Sequence, residues 1–464
     1  MPADAGGTAT LDLRAPQRIH IVGIGGAGMS AIALVLKDMG HTVSGSDLKD
    51  SAVTQRLRSR GIEVAVGHAP QNVGQADAVT SSPAVDPRNA ELQAARTRGI
   101  AVVPRSEMLA AICATRRCLA VAGTHGKTTT ASMLSLMLVE AGMRPSFVIG
   151  ADVNEIGSNA VWDTGDWLVV EADESYGTFR ALRPDLAVLT SVEPDHLDYY
   201  GTFDALRAAF VEFVEQAEGG AVVCADDPEA AAIGRATGAR SVGTAEDADY
   251  RIVGLEEGRS SVSFTLEGPE GELGPIRVGV PGIHNARNAA VAAVAALLAG
   301  APYASAQAAL ARFAGVTRRF EFRGEAGGVT FVDDYAHLPG EVRVALATAK
   351  AGGWQRIVAV FQPHRFTRTA ALADQFGTAF SAADELVVTD VYSAGEPAVP
   401  GVSGRLVVEA VRAQDPRLPV TYAPGWEELA RAVADRLRPG DLCLTLGAGD
   451  LTTLPDELLE SPTW

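Results

Sequence analysis

Lysine is nearly absent from this chain of 464 residues. Its 39 basic residues include only four lysines, which are Lys37, Lys49, Lys127 and Lys350. Arginine therefore carries almost all of the positive charge. A lysine inside a glycine-rich motif is unusual in this chain and indicates a specific role. Lys127 occupies such a place, which makes the segment around it a candidate for chemistry.

Cysteine and long apolar runs are scarce as well. The four cysteines form no CxxC pair and no metal-ligand spacing, which argues against a zinc site and predicts buried thiols in a reducing compartment. The longest apolar run, residues 289–301, is shorter than the roughly 20 residues that a membrane span needs. The first residues lack the basic and apolar regions of a secretory signal. We therefore predict a cytoplasmic protein with no membrane partner.

Positive charge is in deficit overall. Against 39 basic residues stand 57 acidic ones, which gives a formal net charge of −18. A field of this sign repels nucleic acid and anionic membranes, so we expect no nucleic-acid partner. Anionic ligands are then expected only where arginine, lysine or backbone amides form a local basic pocket.

Short apolar runs alternate with helical patterns along the whole chain. This alternation predicts an α/β protein in which parallel sheets are covered by helices. Breaks in the pattern divide the chain into three α/β domains in series. We place them near residues 1–107, 108–318 and 319–464.

A first glycine-rich turn lies between a predicted strand and a predicted helix. Gly23, Gly25 and Gly28 match GxGxxG, Gly26 and Ser30 lie beside them, and backbone amides at such a helix start can hold a diphosphate. Asp47 ends the next predicted strand, where a ribose-binding acid is expected. The pattern leaves three interpretations open: a dinucleotide site, a site for another nucleotide diphosphate, and a purely structural turn.

A second glycine-rich turn is more specific. It retains the strand, glycine turn, GKT and helix of a P-loop, although Val121 replaces the first glycine of the strict pattern. Its amides can cradle phosphates, Lys127 can reach the β- and γ-oxygens, and Thr128 can bind Mg²⁺. The alternative is a glycine loop with an incidental lysine. The residues of the turn are Gly123, Thr124, His125, Gly126, Lys127, Thr128 and Thr129.

Acidic side chains follow two later predicted strands. Glu171 begins the sequence EADES, and His196 lies in EPDHLD. Carboxylates at the C-terminal ends of parallel strands face the crevice where open α/β sheets bind ligands, and they suit Mg²⁺. A solvated acidic loop and a satisfied structural histidine are the alternatives.

Four further polar groups lie at predicted helix starts, domain junctions or strand ends. Asparagine can read a base edge or cap a helix, and paired arginines can clamp phosphates or simply carry surface charge. The members are Asn285 with Asn288, Arg318 with Arg319, Asp334 with His337, and His364 with Arg368.

Taken together and in this order, the motifs resemble those of the Mur ligase family. The resemblance covers residues 18 to about 450 through GTHGKTTT, EADES, EPDHLD, GIHNxxN, RRFEFRGE, DDYAH, FQPHR and LGAGD. It implies a Rossmann-like N-terminal domain that holds UDP rather than a nicotinamide cofactor. It also implies a P-loop-type central domain that binds ATP and Mg²⁺, and a Rossmann-like C-terminal ligase domain.

The resemblance also implies an activity. VGIGGAGMS and RRFE are similar to members that join L-alanine to the lactyl carboxylate of UDP-N-acetylmuramate, with release of ADP and phosphate, in peptidoglycan precursor synthesis. A monomer or a homodimer is expected. The alternatives are the same chemistry with a preformed tripeptide, an NAD-dependent oxidoreductase, and a catalytically silent nucleotide-binding regulator.

Individual roles carry over by the same resemblance. The family pattern implies that Thr128, Glu171 and His196 bind metal, and that Lys127, Glu171, His196, His337 and Arg368 are catalytic. It implies nucleotide contacts from residues 123–129 and from Asn285, Asn288, Arg318 and Asp334. It implies substrate contacts from Gly25, Gly26, Gly28, Ser30, Asp47, Ser82, Arg319, His364 and Arg368.

Overall fold

A computed structural model describes residues 11–460, except the side chains of Tyr176 and Asp198. Helices alternate with the strands of three sheets, so the predicted α/β class is confirmed. By internal contacts the chain forms two compact units. Of the described residues, the first comprises 11–253, 265–276 and 287–312, and the second comprises 254–264, 277–286 and 313–460.

The first sheet is parallel throughout and has the strand order β3-β2-β1-β4-β5. Its order reverses beside β1, and ligands of open α/β sheets bind at such a point. The elements are β1 (Arg18–Val22), α1 (Ala27–Asp38), β2 (Thr42–Asp47), α2 (Ala52–Ser59), β3 (Glu63–Val66), a 3₁₀ turn (Pro70–Val73), β4 (Ala78–Ser81), α3 (Ala90–Thr97), β5 (Ala101–Pro104) and α4 (Arg105–Cys113).

The second sheet has ten strands in the order β15-β14-β13-β12-β11-β10-β6-β9-β7-β8. The pairs of β6 with β9 and β10 are parallel, and β8 pairs antiparallel with β7. Its strands are β6 (Arg117–Ala122), β7 (Ser146–Val153), β8 (Ser158–Val161), β9 (Trp167–Glu171), β10 (Leu186–Leu189), β11 (Ala221–Cys224), β12 (Arg240–Gly243), β13 (Tyr250–Glu257), β14 (Val262–Gly268) and β15 (Gly271–Val278).

The helices around this sheet include one that is buried along most of its length. In α5 all residues from Thr128 to Leu138 are buried, which places this helix inside the domain core rather than on its surface. The helices are α5 (Lys127–Glu140), α6 (Leu197–Tyr200), α7 (Phe203–Glu215), α8 (Pro228–Thr237), α9 (Ile283–Leu298) and α10 (Tyr303–Arg312), with a 3₁₀ turn (Ser175–Ala181).

The third sheet has six strands in the order β16-β17-β21-β18-β19-β20, all parallel except β16. Its strands are β16 (Glu321–Ala326), β17 (Val329–Asp334), β18 (Arg356–Phe361), β19 (Glu385–Val388), β20 (Val420–Tyr422) and β21 (Asp441–Leu446). Its helices are α11 (Pro339–Ala351), α12 (Phe366–Phe376), α13 (Arg405–Gln414), α14 (Trp426–Ala434) and α15 (Leu454–Glu460), with a 3₁₀ turn (Asp450–Thr453).

Apolar side chains fill both faces of the third sheet, as its nearly continuous apolar strands predict. The central strand β21 is buried at all six positions, so only the ends of such strands are free to present polar groups. Within residues 11–460, none of the helices combines the length and apolar character required to cross a membrane.

Candidate active site

The first glycine turn, residues 23–28, is held by the strand that follows it. The Ser46 carbonyl accepts hydrogen bonds from the amides of Gly23 and Ile24 at 2.8 and 3.0 Å, and Asp47 Oδ2 accepts one from Gly25 at 2.8 Å. Asp47 thus has a structural task in fixing the turn. At the start of α1, Gly26 provides no side-chain cap for the first amides of this helix.

The other sequence-predicted residues of this turn lie close by. Ser30 is buried in α1 and donates to the Ala27 carbonyl at 3.0 Å, and Ser82 follows β4 with its β-carbon 3.1 Å from an ideal β-carbon on Gly23. An ideal β-carbon on Gly28 would lie 2.6 Å from a guanidinium nitrogen of Arg105. Only glycine therefore permits this approach of the arginine to the helix.

The second glycine turn, residues 123–129, is attached to the chain that leaves β10. The Thr124 amide donates to the Ser191 carbonyl and the His125 amide donates to Ser191 Oγ, both at 2.9 Å, while the Thr190 hydroxyl donates to the His125 carbonyl. Gly123 and Gly126 adopt φ values of 137° and 80°, which favour glycine. The turn is thus shaped by its neighbours before α5 begins.

Lys127 is held by a carboxylate that follows β9. Its Nζ lies 2.8 and 2.9 Å from the two carboxylate oxygens of Glu174, and it also donates to the carbonyls of Gly123 and Thr124 at 2.5 and 3.2 Å. The side chain of Glu174 is only 2% exposed, so this is a buried ion pair. A group that binds Lys127 must compete with Glu174.

Electrostatics keep this lysine charged. Burial by itself lowers the pKa of Lys127, but the charges of Glu174 and Asp173 outweigh burial and raise that pKa above its usual value. Burial raises the pKa of Glu174, and the Lys127 charge opposes the change. Burial likewise acts against ionisation of Asp173, yet Lys127 and Ser175 lower its pKa. The site therefore presents one cation surrounded by acids.

Thr128 and Glu171 lie together, as the sequence predicts for a metal pair. The Thr128 hydroxyl donates to Glu171 Oε1 at 3.0 Å, and the amide of Gly150 donates to Glu171 Oε2 at 2.7 Å. Hydroxyl and carboxylate oxygens are the ligands that Mg²⁺ prefers, so the donor chemistry of this pair fits the ion.

His196 lies in a second group of possible ligands. One ligand atom each from Glu174, Asp195 and His196 falls within 4.8 Å of the others. His196 has a left-handed backbone with φ 52°, and its amide donates to Asp195 Oδ1 at 2.8 Å. The two carboxylates are ligands that Mg²⁺ prefers, whereas the imidazole is more typical of transition metals, so this group fits Mg²⁺ through its oxygens.

The two predicted asparagines have different surroundings. An ideal β-carbon on Gly126 would lie 2.6 Å from the Asn288 side-chain oxygen, so Asn288 faces the second glycine turn. Asn285 is buried and donates from Nδ2 to the Pro281 carbonyl at 2.6 Å. It is the third residue of α9 rather than its cap, because the helix already begins at Ile283.

Arg318 is fixed at the ends of the strands of the third sheet. Its guanidinium donates to Asp333 at 3.3 Å and to the carbonyls of Gly447 and Gly449 at 2.6 and 3.1 Å. Both Arg318 and Arg319 lie over the ring of Tyr335, at 5.0 and 5.2 Å from its centroid. Such cation–π contacts orient both guanidinium groups on one aromatic ring.

Asp334, also at the end of β17, is engaged by the backbone. It accepts hydrogen bonds from the amides of Phe320 and Ala336, each at 2.8 Å. Burial nevertheless raises its pKa to about 6, against a lowering by Arg319. A group with this pKa is partly protonated just below neutral pH.

His337, His364 and Arg368 form one cluster in the second unit. The two imidazole centroids are 5.3 Å apart, and Arg368 donates to His364 Nδ1 at 3.1 Å while the His364 ring stacks on Tyr392. Burial lowers the pKa of His337, and burial together with the neighbouring cations lowers that of His364 to about 3. Both rings are therefore neutral at pH 7.

Sequence reasoning left three close contacts unassigned. Glu174 lies within EADES and Asp195 within EPDHLD, so the motifs that sequence reasoning used already contained both residues, although it gave them no role. Arg105 had none, because it lies 77 positions beyond Gly28 and in no glycine motif.

Comparison with known proteins decides the family. The model described as "Mur ligase family, catalytic domain" matches residues 18–117, the "Mur ligase middle domain" matches residues 121–296, and "Mur ligase, glutamate ligase domain" matches residues 318–449. The chain belongs to the Mur ligase family. The resemblance inferred from the sequence motifs is thereby confirmed.

Relatives within the Mur ligase family match along almost the whole chain. The UDP-N-acetylmuramate–L-alanine ligase of Anaeromyxobacter sp. (strain Fw109-5) is 47% identical over 448 residues, which are 96% of this chain and 97% of that protein. The enzyme of the same name from Myxococcus xanthus (strain DK1622) is 45% identical over 447 residues, which are 96% and 94% of the two chains.

Solved structures of Mur ligases are similar in fold. The crystal structure of UDP-N-acetylmuramate–alanine ligase from Thermotoga maritima has a TM-score of 0.82 and 28% identity, and the match covers 96% of this chain and 98% of that one. A murein peptide ligase from Psychrobacter arcticus 273-4 has a TM-score of 0.70 with 24% identity, over 96% and 98% of the chains. The confirmed fold class is thus that of the family.

Proposed function

We propose that this protein joins L-alanine to the lactyl carboxylate of UDP-N-acetylmuramate, using ATP and Mg²⁺, in peptidoglycan precursor synthesis. The observation that carries the proposal is the second glycine turn, in which Lys127 and Thr128 contact the acids Glu174 and Glu171. The names and extents of its relatives favour L-alanine as the acceptor.

The chemistry requires a leaving group on a carboxylate. A lactyl carboxylate oxygen attacks the γ-phosphorus of ATP, the bond to the bridging oxygen breaks, and ADP departs. The amine of L-alanine then attacks the carbonyl carbon of the acyl phosphate, loses a proton and expels phosphate. Both initial reactants are anions, so cationic groups must offset their repulsion.

Residues of the first compact unit suit the phosphoryl donor. We assign the phosphates to residues 123–129. When they bind, the Lys127 ammonium exchanges the Glu174 carboxylate for the β- and γ-oxygens. Asn288 faces the same turn and is assigned to the nucleotide. Thr128 and Glu171 would hold one Mg²⁺ and His196 would approach a second, and such ions when bound neutralise charge on the transferring phosphate.

The other roles are assigned by family resemblance. Gly25, Gly26, Gly28, Ser30, Asp47 and Ser82 are assigned to the UDP sugar, and Asn285, Arg318 and Asp334 to the adenine nucleotide. Arg319, His337, His364 and Arg368 are assigned to the substrate and the acyl phosphate. Neutral His337 can accept a proton at Nε2, because its Nδ1 lies 3.0 Å from the Tyr335 carbonyl and donates there.

We place the domain boundaries near residues 107 and 318, which leaves the two glycine turns in different domains. We further propose a cytoplasmic monomer or homodimer that acts on these small molecules. GxGxxG by itself suggests a nicotinamide cofactor. By family resemblance we assign the first glycine turn to UDP instead. Asp47 accepts a hydrogen bond from the Gly25 amide. This contact accords with a turn whose ligand is not a nicotinamide dinucleotide.

The decisive experiment measures ADP release from MgATP with UDP-N-acetylmuramate, with and without L-alanine. We expect release only with both substrates, together with the mass of UDP-N-acetylmuramoyl-L-alanine. Lys127→Ala should lower kcat at least about 100-fold because a preorganised charge contact is lost. Release with a tripeptide but not with L-alanine would replace the proposed acceptor. No release with either would reject ligase activity.

A further inference from the structure

Arg105 is a cation in a place that does not favour one. It is the first residue of α4, where the N-terminal end of the helix dipole repels positive charge, and Pro104 provides no side-chain cap. Its guanidinium also lies against Gly28 in the first turn of α1, where a second helix begins. Neither helix gains from this arginine, so its presence needs another cause.

The partners of Arg105 do not satisfy it. Its nearest counter-charge is Asp173, at 3.7 Å between NH1 and Oδ2, and the Arg105 side chain is 23% exposed. Its Nε is buried and has no hydrogen-bond partner in the part of the chain that the structure describes. A guanidinium has five N–H donors in a planar fork that matches oxyanions, and burying them unpaired costs free energy. Asp173 alone does not account for the site.

We propose that Arg105 binds the diphosphate of the nucleotide sugar at the first glycine turn. This inference rests on the proposed function and adds a residue that no glycine motif contains. No side chain caps the first amides of α1, and the guanidinium lies against Gly28 in the same turn; both kinds of group attract an oxyanion. The opposite edge of the guanidinium points to Asp173, which restrains its orientation.

Arg105 also links the two candidate sites within one compact unit. Asp173 lies next to Glu174 in the acidic segment that surrounds Lys127, and the Lys127 charge lowers the pKa of Asp173. Through Asp173 the guanidinium that holds the diphosphate is fixed relative to the second glycine turn. Asp173 is in this respect a positioning residue, whereas Arg105 contacts the substrate.

The test is calorimetric binding of UDP, UDP-N-acetylglucosamine, UDP-N-acetylmuramate and uridine without ATP. Arg105→Gln should weaken binding of the three diphosphates by about 10- to 100-fold and leave uridine unchanged. Arg105→Lys should lie between, because a point charge lacks the fork. MgADP binding should not change. Arg88→Gln, which removes an equal charge from an exposed ion pair, is the control.

Each other outcome overturns the inference in a recognisable way. Weaker binding of UDP-N-acetylmuramate alone would move the contact from the diphosphate to the lactyl carboxylate. Unchanged binding of all probes by a folded Arg105→Gln protein would reduce Arg105 to a structural partner of Asp173, while the proposed function stood. If the unaltered protein bound none of the uridine diphosphates, the proposed function would fail together with the inference.

Discussion

At the scale of single residues, the ion pair between Lys127 and Glu174 is the contact with the clearest consequence. Glu174 occupies the ammonium group of Lys127, so the nucleotide phosphates that we propose to bind there would compete with this carboxylate. Removing the carboxylate therefore has two opposite effects. It leaves a buried lysine without its nearest counter-charge, and it frees that lysine for phosphate.

We expect Glu174→Gln to lower the thermal midpoint of the ligand-free protein and to tighten ADP binding about three- to tenfold in EDTA. Calorimetry gives both quantities, and EDTA removes any effect through a metal. Glu212→Gln, which takes one acid from an exposed pair with Arg180, controls for the change in net charge. Equal or weaker ADP binding by Glu174→Gln would contradict competition for Lys127.

His364 supports a pH prediction. Its folded pKa of about 3 lies below the ordinary 6.5, so the unfolded chain binds the proton more readily. The folded state is therefore favoured by keeping His364 neutral. This contribution to stability is complete above about pH 6.5 and is lost as the pH falls toward 3. Asp334, with a raised pKa of about 6, has the opposite dependence and loses stabilisation as the pH rises through that value.

His364→Gln isolates the histidine from the aspartate. Between pH 7 and pH 5 the unaltered protein should lose about 1–2 kcal/mol more stability than the variant. Thermal midpoints measured across this range in both proteins provide the comparison. Parallel pH curves would show that His364 titrates normally in the folded protein.

At the scale of elements, each glycine turn is fixed by another segment of the chain: the first by β2, and the second by the residues that follow β10. The Ser46 carbonyl of β2 holds the first turn, and the side chain of Ser46 donates to Glu91, which is fully buried. Burial opposes the ionisation of Glu91, yet hydrogen bonds from His20, Ser46 and Asn72 lower its pKa to about 2. A charged buried network thus lies directly beneath this turn.

The second turn allows a matched comparison of two glycines. A β-carbon on Gly123, at φ 137°, would overlap the Thr190 hydroxyl and approach Ser191 to 2.9 Å. Gly142, just beyond the other end of α5, also has positive φ, but nothing lies within 4 Å of its β-carbon position. Alanine at position 142 therefore introduces backbone strain alone, whereas alanine at position 123 adds a steric clash.

We expect Gly123→Ala to weaken MgADP binding at least about 100-fold, because the turn must leave its anchoring strand. Gly142→Ala should lose about 1–2 kcal/mol of stability and keep ADP binding within about twofold. Binding and thermal unfolding of both variants test this. Normal ADP binding by Gly123→Ala would mean that the shape of the turn does not depend on Thr190 and Ser191.

At the scale of the whole molecule, the net charge of −18 sets the general field. We therefore expect anionic ligands to be attracted only at local sites, of which residues 123–129 and Arg105 are the proposed examples. We expect no retention of the protein on double-stranded DNA or phosphatidylserine vesicles at about 150 mM salt. Sedimentation with vesicles and a gel-shift assay measure this. Micromolar binding to either would reveal a basic face that the balance of charges conceals.

The α/β class and the family follow from the sequence alone. Apolar periodicity and glycine position are local properties, and β1, α1, β6 and α5 all occur where the pattern predicts them. Thr128 and Glu171 also meet as expected, because parallel strands end at one edge of a sheet. The residue roles assigned by resemblance and the domain boundaries stay predictions.

Only the tertiary structure decided which charges are partners. The sequence does not predict that Lys127 pairs with Glu174 rather than Glu171. Nor does it predict that Arg105 contacts Gly28, which lies 77 positions earlier in the chain. Such pairings depend on strand order, burial and side-chain direction, and these are set by packing between distant segments. Hydrophobic patterning fixes which elements form, whereas the contacts at their ends arise only when the elements assemble.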